Sequence, residues 1–159
     1  MSPTHKPGAP SAASETDART QRVLQFYQSL TPQSVAQIDH VYDEQARFVD
    51  PFNDVQGAAA VRQIFTHMFA NLDEPRFEVH SALTGGDTCL LLWTFHCRRQ
   101  GRPQALSLQG MSHLRYGADG RVALHQDHWD PSRQIYERLP LLGALLRWLR
   151  RRLSAGASR

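Results

Sequence analysis

Apolar positions recur at helical spacing in the first half of the chain and at every second residue in much of the second half, so the sequence changes period once. From Glu15 to about Leu30, the positions Val23, Leu24, Phe26, Tyr27 and Leu30 predict a first helix, with Ser14 as N-cap and Asp17 in the first turn. Thr31-Pro32 restarts the chain with a capping residue and a proline at the first helical position. Val35, Ile38, Val41 and Tyr42 then predict a short second helix. Phe48 and Val49 read as a short strand ending at Asp50-Pro51. Gly57 opens a third helix through about Asn71, with Val61, Ile64, Phe65, Met68, Phe69 and Leu72 as its apolar stripe.

Beyond this point the period is two. Phe77, Val79, Ser81 and Leu83 alternate with polar residues up to the Gly85-Gly86-Asp87 turn, which reads as a hairpin. Cys89, Leu91, Trp93, Phe95 and Cys97 share one face of the next run. Gln100 to Pro103 turns the chain, Ala105 to Tyr116 returns, and Gly117 to Gly120 turns it again into Arg121 to Trp129. Helices followed by a four-strand antiparallel meander predict an α+β domain, in which the helices cover one face of a curved sheet and leave a pocket between the layers.

Asp130-Pro131-Ser132 caps a last helical segment, broken at Pro140 and resumed from Leu141 to Leu153. Its leucines and Trp148 oppose Arg147, Arg150, Arg151 and Arg152, which makes it a basic amphipathic helix. At about 1.5 Å per residue it is too short to span a bilayer and long enough to lie on one. Two placements follow: the leucines pack over the sheet or the pocket mouth with the arginines in water, or the segment Leu141 to Arg152 makes peripheral membrane contact.

Composition narrows the class. The 159 residues, 41% apolar and 21% charged, suit one globular domain over residues 15–131, preceded by a disordered leader over 1–14 and followed by the helical segment 132–153 and a flexible tail over 154–159. The formal charge of +3 is concentrated in the C-terminal arginines, so nucleic acid is not implied. The leader lacks the apolar region of a secretory signal. Cys89 and Cys97, eight apart in one strand, are too distant to bridge and point to free thiols in the reducing cytoplasm.

Candidate chemistry centres on two carboxylates. Asp50 ends a strand and precedes a proline that biases it towards an extended backbone, so it either points into the pocket or caps the turn from Pro51 to Asp54. On the last strand, period two groups His125, Asp127 and Trp129 on one face and Gln126, His128 and Asp130 on the other. Val122 and Leu124 favour the second face as the buried one, and the register stays open unless a bulge intervenes. The eight histidines show no helix pairing of metal-ligand spacing, so no metal is expected.

The order of elements, and above all Val41-Tyr42-Asp43-Glu44-Gln45-Ala46-Arg47-Phe48-Val49-Asp50-Pro51 followed by Gly57, resembles the nuclear transport factor 2-like superfamily, with its ketosteroid isomerases and SnoaL-like polyketide cyclases. The resemblance covers about Glu15 to Asp130. It implies a cystatin-like cone with a central cavity. It also implies a proton-shuttling role for Asp50, an oxyanion donor at Tyr27 and a last-strand acid/base at Asp127. Ser112 stands in Gly110-Met111-Ser112-His113, where the isomerases carry a protonated aspartic acid, so the third isomerase group is replaced by a weaker donor. Ser112, His125, Trp129, Trp93 and Phe65 are the expected substrate-binding residues. The expected function is cofactor-free acid/base isomerisation or cyclisation of a small hydrophobic ligand. The alternative is a non-catalytic binding or accessory module, with a homodimer formed through the sheet.

Overall fold

The computed structural model describes residues 17–154; the leader, with Ser14, and the tail from residue 155 lie outside the described residues. Helix α1 (Ala18–Gln28) begins later than its apolar spacing suggests, because Asp17 itself is the N-cap and accepts from Arg19 N at 2.8 Å. The capping box of Thr31 and Ser34 starts α2 (Pro32–Val35), which stops after one turn. A 3-10 turn, Ile38–His40, follows, and Tyr42 opens strand β1 (Tyr42–Val49) instead of closing a second helix. Val35, Ile38, Val41 and Tyr42 are all buried. Helical spacing and a turn leading into a strand bury the same four side chains here. Pairing of Tyr42 with Val122 settles the choice in favour of the strand.

Strand β2 (Asp54–Gln56) pairs back onto β1, and Gly57, at φ 98°, turns the chain into α3 (Ala58–Asn71). Only glycine adopts that backbone without strain. The meander follows as β3 (Leu72–Gly85), β4 (Thr88–Arg99), β5 (Ala105–Tyr116) and β6 (Val122–His128), antiparallel throughout. The whole sheet has the order β2-β1-β6-β5-β4-β3, and β1 runs parallel to β6, so it is mixed and open. Cys89, Leu91, Trp93, Phe95 and Cys97 are all buried on its inner face, beneath α1 and α3, and both thiols are free. Leu92, on the outer face, is 47% exposed.

A bulge resolves the last strand. Tyr116 pairs with Val122 and Arg115 with Leu124, which leaves Ala123 as an extra residue. The phase therefore switches at Ala123, and Val122 and His125 both point inwards, 1% and 2% exposed.

Helix α4 (Pro131–Gln134) is capped by Asp130 and leads through a 3-10 turn, Tyr136–Arg138, to α5 (Pro140–Leu153). Helix α5 rests on that turn by its polar side: Arg147 donates to Glu137 O, and Arg150 meets the Glu137 carboxylate at 3.0 Å. A Cβ at Gly143 would sit 2.2 Å from Glu137 O, so glycine permits this approach. The leucines do not pack over the sheet. Leu141 is 89% exposed, Leu145 58% and Leu153 79%.

Candidate functional site

A pocket of about 310 Å³ lies between the helices and the inner face of the sheet. Its walls are apolar and largely aromatic: Phe48 from β1, Ile64 and Phe65 from α3, Phe77 from β3, and Leu91, Trp93 and Phe95 from β4. Tyr27, Ser112, His125 and Asp127 add a polar cluster on one wall, and Asp50 and Phe52 stand at the rim. Of the eight side chains singled out in the sequence, seven line this pocket; Trp129 instead packs edge-on against Phe52, ring centroids 5.5 Å apart.

The polar wall is one connected system. Trp93 Nε1 donates to Ser112 Oγ at 2.8 Å, and Ser112 Oγ donates to Asp127 Oδ1 at 2.5 Å. The same oxygen meets His125 Nε2 at 2.7 Å. On the other edge of the imidazole, Nδ1 lies 2.6 Å from the Tyr42 hydroxyl and 3.1 Å from that of Tyr27, and the two hydroxyls are 2.5 Å apart. The Tyr42 and His125 rings are nearly parallel, 8° apart with centroids at 6.0 Å, and meet edge to edge through their hydrogen bond. Phe48 lies 4.7 Å from the imidazole between centroids and packs against it. Asp127 is 14% exposed, and among the described residues no group donates to its Oδ2.

Burial pushes the Tyr27 phenol well above its ordinary value of 10.0, with further contributions from Tyr42 and the Asp127 charge; burial also raises Tyr42. Both groups therefore stay protonated in the folded chain at pH values where an unfolded chain would lose those protons. The sign of the linkage follows: the stability they contribute is complete below about pH 10 and is lost as the pH rises through the folded values. The thermal midpoint is expected to fall between about pH 9 and about pH 11, and a Tyr27→Phe, Tyr42→Phe double variant should fall less steeply, as read by thermal unfolding at stepped pH.

Asp50 performs the turn-capping role open to it from its position before proline. Its Oδ1 accepts from Phe52 N and Asn53 N, each at 2.7 Å, and Asn53 Nδ2 spans both carboxylate oxygens at 3.0 and 2.9 Å. The carboxylate lines the pocket; the turn saturates Oδ1, while Oδ2 accepts from Asn53 Nδ2 alone.

Trp93 owes its position to its cross-strand partner, Gly110. A Cβ on Gly110 would lie 2.4 Å from the indole ring. Gly110→Ala is expected to drive the indole off Ser112 and to cost about 1–3 kcal/mol, the usual penalty for overpacking. Denaturant unfolding gives the stability change, and tryptophan emission reports the altered setting of the ring.

Tyr42 is the member of the cluster that local sequence could not assign. It lies 83 positions before His125, and nothing near it announces a partner so far along the chain. Among the described residues, no group of three His, Cys, Asp or Glu side chains is arranged to hold a metal ion.

Residues 23–125 match the family described as SnoaL-like domain. No curated protein matches the sequence. Among solved structures, a nuclear transport factor 2-like protein of unknown function from Burkholderia pseudomallei superimposes with a TM-score of 0.65 at 17% identity, covering 74% of this chain and 94% of that one. A hypothetical protein with a ketosteroid isomerase-like fold from Catenulispora acidiphila, in complex with trimethylamine, gives 0.65 at 13% identity over 77% and 94%. An LEH-like epoxide hydrolase from M. tuberculosis gives 0.62 at 16% identity over 85% and 94%. With the family match spanning most of the folded domain and these neighbours sharing its architecture, the chain belongs to the SnoaL-like family and has the nuclear transport factor 2-like fold.

Proposed function

We propose that the pocket binds a small hydrophobic molecule and that Asp127 moves a proton on it, in cofactor-free isomerisation or cyclisation. One observation carries this reading. Asp127 lines an apolar pocket, its Oδ1 is anchored by Ser112 and His125, and among the described residues no group donates to its Oδ2. A carboxylate oriented in this way meets the first need of a general base, which is a fixed direction of attack within reach of the ligand. Asp50 is the second carboxylate of the pocket, and its turn hydrogen bonds favour a role in shaping the rim.

The test uses an apolar ketone with acidic C–H bonds, such as 2-tetralone, in D2O. The protein is expected to speed the replacement of C–H by C–D, followed by NMR, with no added cofactor. Binding without any acceleration, across such ketones and 1,3-diketones, would leave only the non-catalytic binding module.

A second reading concerns α5, whose leucines face away from the domain while its polar side rests on Glu137. The helix contains four arginines and no acidic residue, so its charge complements an anionic bilayer. Among the described residues, no helix is long and apolar enough to cross a membrane. The full chain is expected to sediment with phosphatidylserine-containing vesicles at low salt, and a chain lacking residues 141–159 should remain in the supernatant. If both stay soluble, the idea is lost.

A further inference from the structure

The buried chain of groups that joins Tyr27 to Asp127 opens onto the pocket at both ends, since both of these side chains line it. An ionised carboxylate can only accept, so His125 Nε2 carries the proton directed at Asp127. If the ring is neutral, Nδ1 is an acceptor, and the Tyr42 hydroxyl at 2.6 Å is placed to donate to it while the Tyr27 hydroxyl is placed to donate to the Tyr42 oxygen. In that arrangement every proton in the chain points from Tyr27 towards Asp127, and Tyr27 meets the pocket as a lone pair.

We propose that Tyr27, Tyr42, His125 and Asp127 form a proton wire that ionises a ligand hydroxyl seated at Tyr27, with Asp127 as the remote base. This rests on the pocket reading above and narrows its ligand to an apolar molecule bearing an acidic enol or phenol O–H. In the step, the ligand O–H bond breaks and its proton bonds to the Tyr27 oxygen. The former Tyr27 proton passes to the Tyr42 oxygen, the former Tyr42 proton to His125 Nδ1, and the His125 Nε2 proton to Asp127 Oδ1. Each of the three intermediate groups loses one proton and gains one. Only the ligand becomes anionic, and only Asp127 becomes neutral.

The outcome reverses every hydrogen bond in the chain. Asp127 now donates to His125 Nε2, Nδ1 donates to Tyr42, Tyr42 donates to Tyr27, and Tyr27 donates into the pocket, to the oxyanion just formed. One transfer therefore both removes the proton and creates the donor that stabilises the product charge. The short contacts of 2.5, 2.6 and 2.7 Å along the path suit concerted transfer, and hydrogen bonds at both ring nitrogens with Phe48 packed against the imidazole hold them. Burial keeps both phenols protonated, which suits groups that relay a proton without holding a charge.

The probe is 2,4-dinitrophenol, a phenol of about the acidity of an ordinary Asp side chain, near 3.9. Its binding is followed by calorimetry in buffers of different ionisation heat, and His125 by NMR of the protein labelled with 15N-histidine. The free protein is expected to show His125 as the neutral Nε2–H form. Binding of the anion should take up about one proton, with loss of the Nε2–H signal and gain of an Nδ1–H signal. Tyr27→Phe should still bind the probe and leave His125 in the Nε2–H form. Binding to the wild type with His125 unchanged overturns the wire and leaves the pocket reading standing, as does the same switch in Tyr27→Phe. A doubly protonated His125 in the free protein overturns the resting polarity and the wire with it. Failure of the wild type to bind the probe overturns both readings.

Discussion

Asp127→Asn is expected to reduce proton transfer on an apolar ketone by about 10²–10⁴-fold, the usual contribution of a positioned general base. The substitution keeps the shape of the side chain and can still satisfy Ser112 or His125, so the walls of the pocket should remain as they are. Ligand affinity is therefore expected to stay the same or to rise, because the amide removes a carboxylate from an apolar site. The pair of readings separates chemistry from binding: deuterium exchange measured by NMR, and affinity measured by calorimetry on the same ketone. Equal exchange rates in the two proteins would remove Asp127 from the proposed mechanism. The matching change at the rim, Asp50→Asn, should leave exchange largely intact. Asn53 then loses part of its partner, and a modest loss of stability, about 1 kcal/mol, is the expected reading.

The second large effect concerns the aromatic wall that packs against Tyr27. Phe65, 4% exposed, stands edge-on to Phe26, Tyr27 and Phe48, with centroid distances of 5.9, 6.0 and 6.4 Å. It thus joins α3 to α1 and β1 while also facing the pocket. Phe65→Ala is expected to cost about 3–5 kcal/mol, because the methylated remnant cannot fill the space left by the ring and the pocket prevents full collapse of the site. Denaturant unfolding measures it. A loss below about 1 kcal/mol would show that the ring acts as a ligand wall alone and adds little to the core. Phe65→Leu, which keeps much of the volume, should recover more than half of the stability.

How much of this was legible in the chain varies element by element. The stripe of α3 and the alternation along β4 are self-contained patterns, and both elements form where their apolar spacing puts them. The Gly85-Gly86-Asp87 and Gly117 to Gly120 turns likewise announce themselves, because left-handed backbone at Gly86 and Gly120 calls for glycine. The start of the second strand system was not legible. Tyr42 continues a helical spacing from Val35, and only its pairing with Val122 draws it into β1. The parallel β1–β6 pairing has no local signature either, since α3 and the first three strands of the meander lie between its two strands.

The site divides along the same line. Resemblance to the isomerases drew notice to Tyr27, Asp50 and Ser112, and period two put His125 and Asp127 together on one face. The bulge at Ala123 then makes that face the inner one, although Leu124 argues locally for the other. Position before a proline could not decide between the two tasks of Asp50, because a turn cap and a pocket acid need the same extended backbone. The structure shows Asp50 in both positions: it caps the turn through Phe52 N and Asn53 N and lines the pocket at its rim. Amphipathic spacing in α5 likewise specifies a face and leaves its direction open. Gly143, Arg147 and Arg150 against the 3-10 turn that holds Glu137 direct it outwards.

By itself, then, the sequence determined the α+β class, the four-strand meander and the family resemblance, since periodicity and turn chemistry act over a few neighbouring residues. The tertiary structure alone decided that Tyr42 joins Tyr27, His125 and Asp127 in one buried hydrogen-bonded chain. That chain depends on contacts between residues as much as 98 positions apart, and such contacts exist only once the sheet has brought β1 against β6 and Tyr27 of α1 against both.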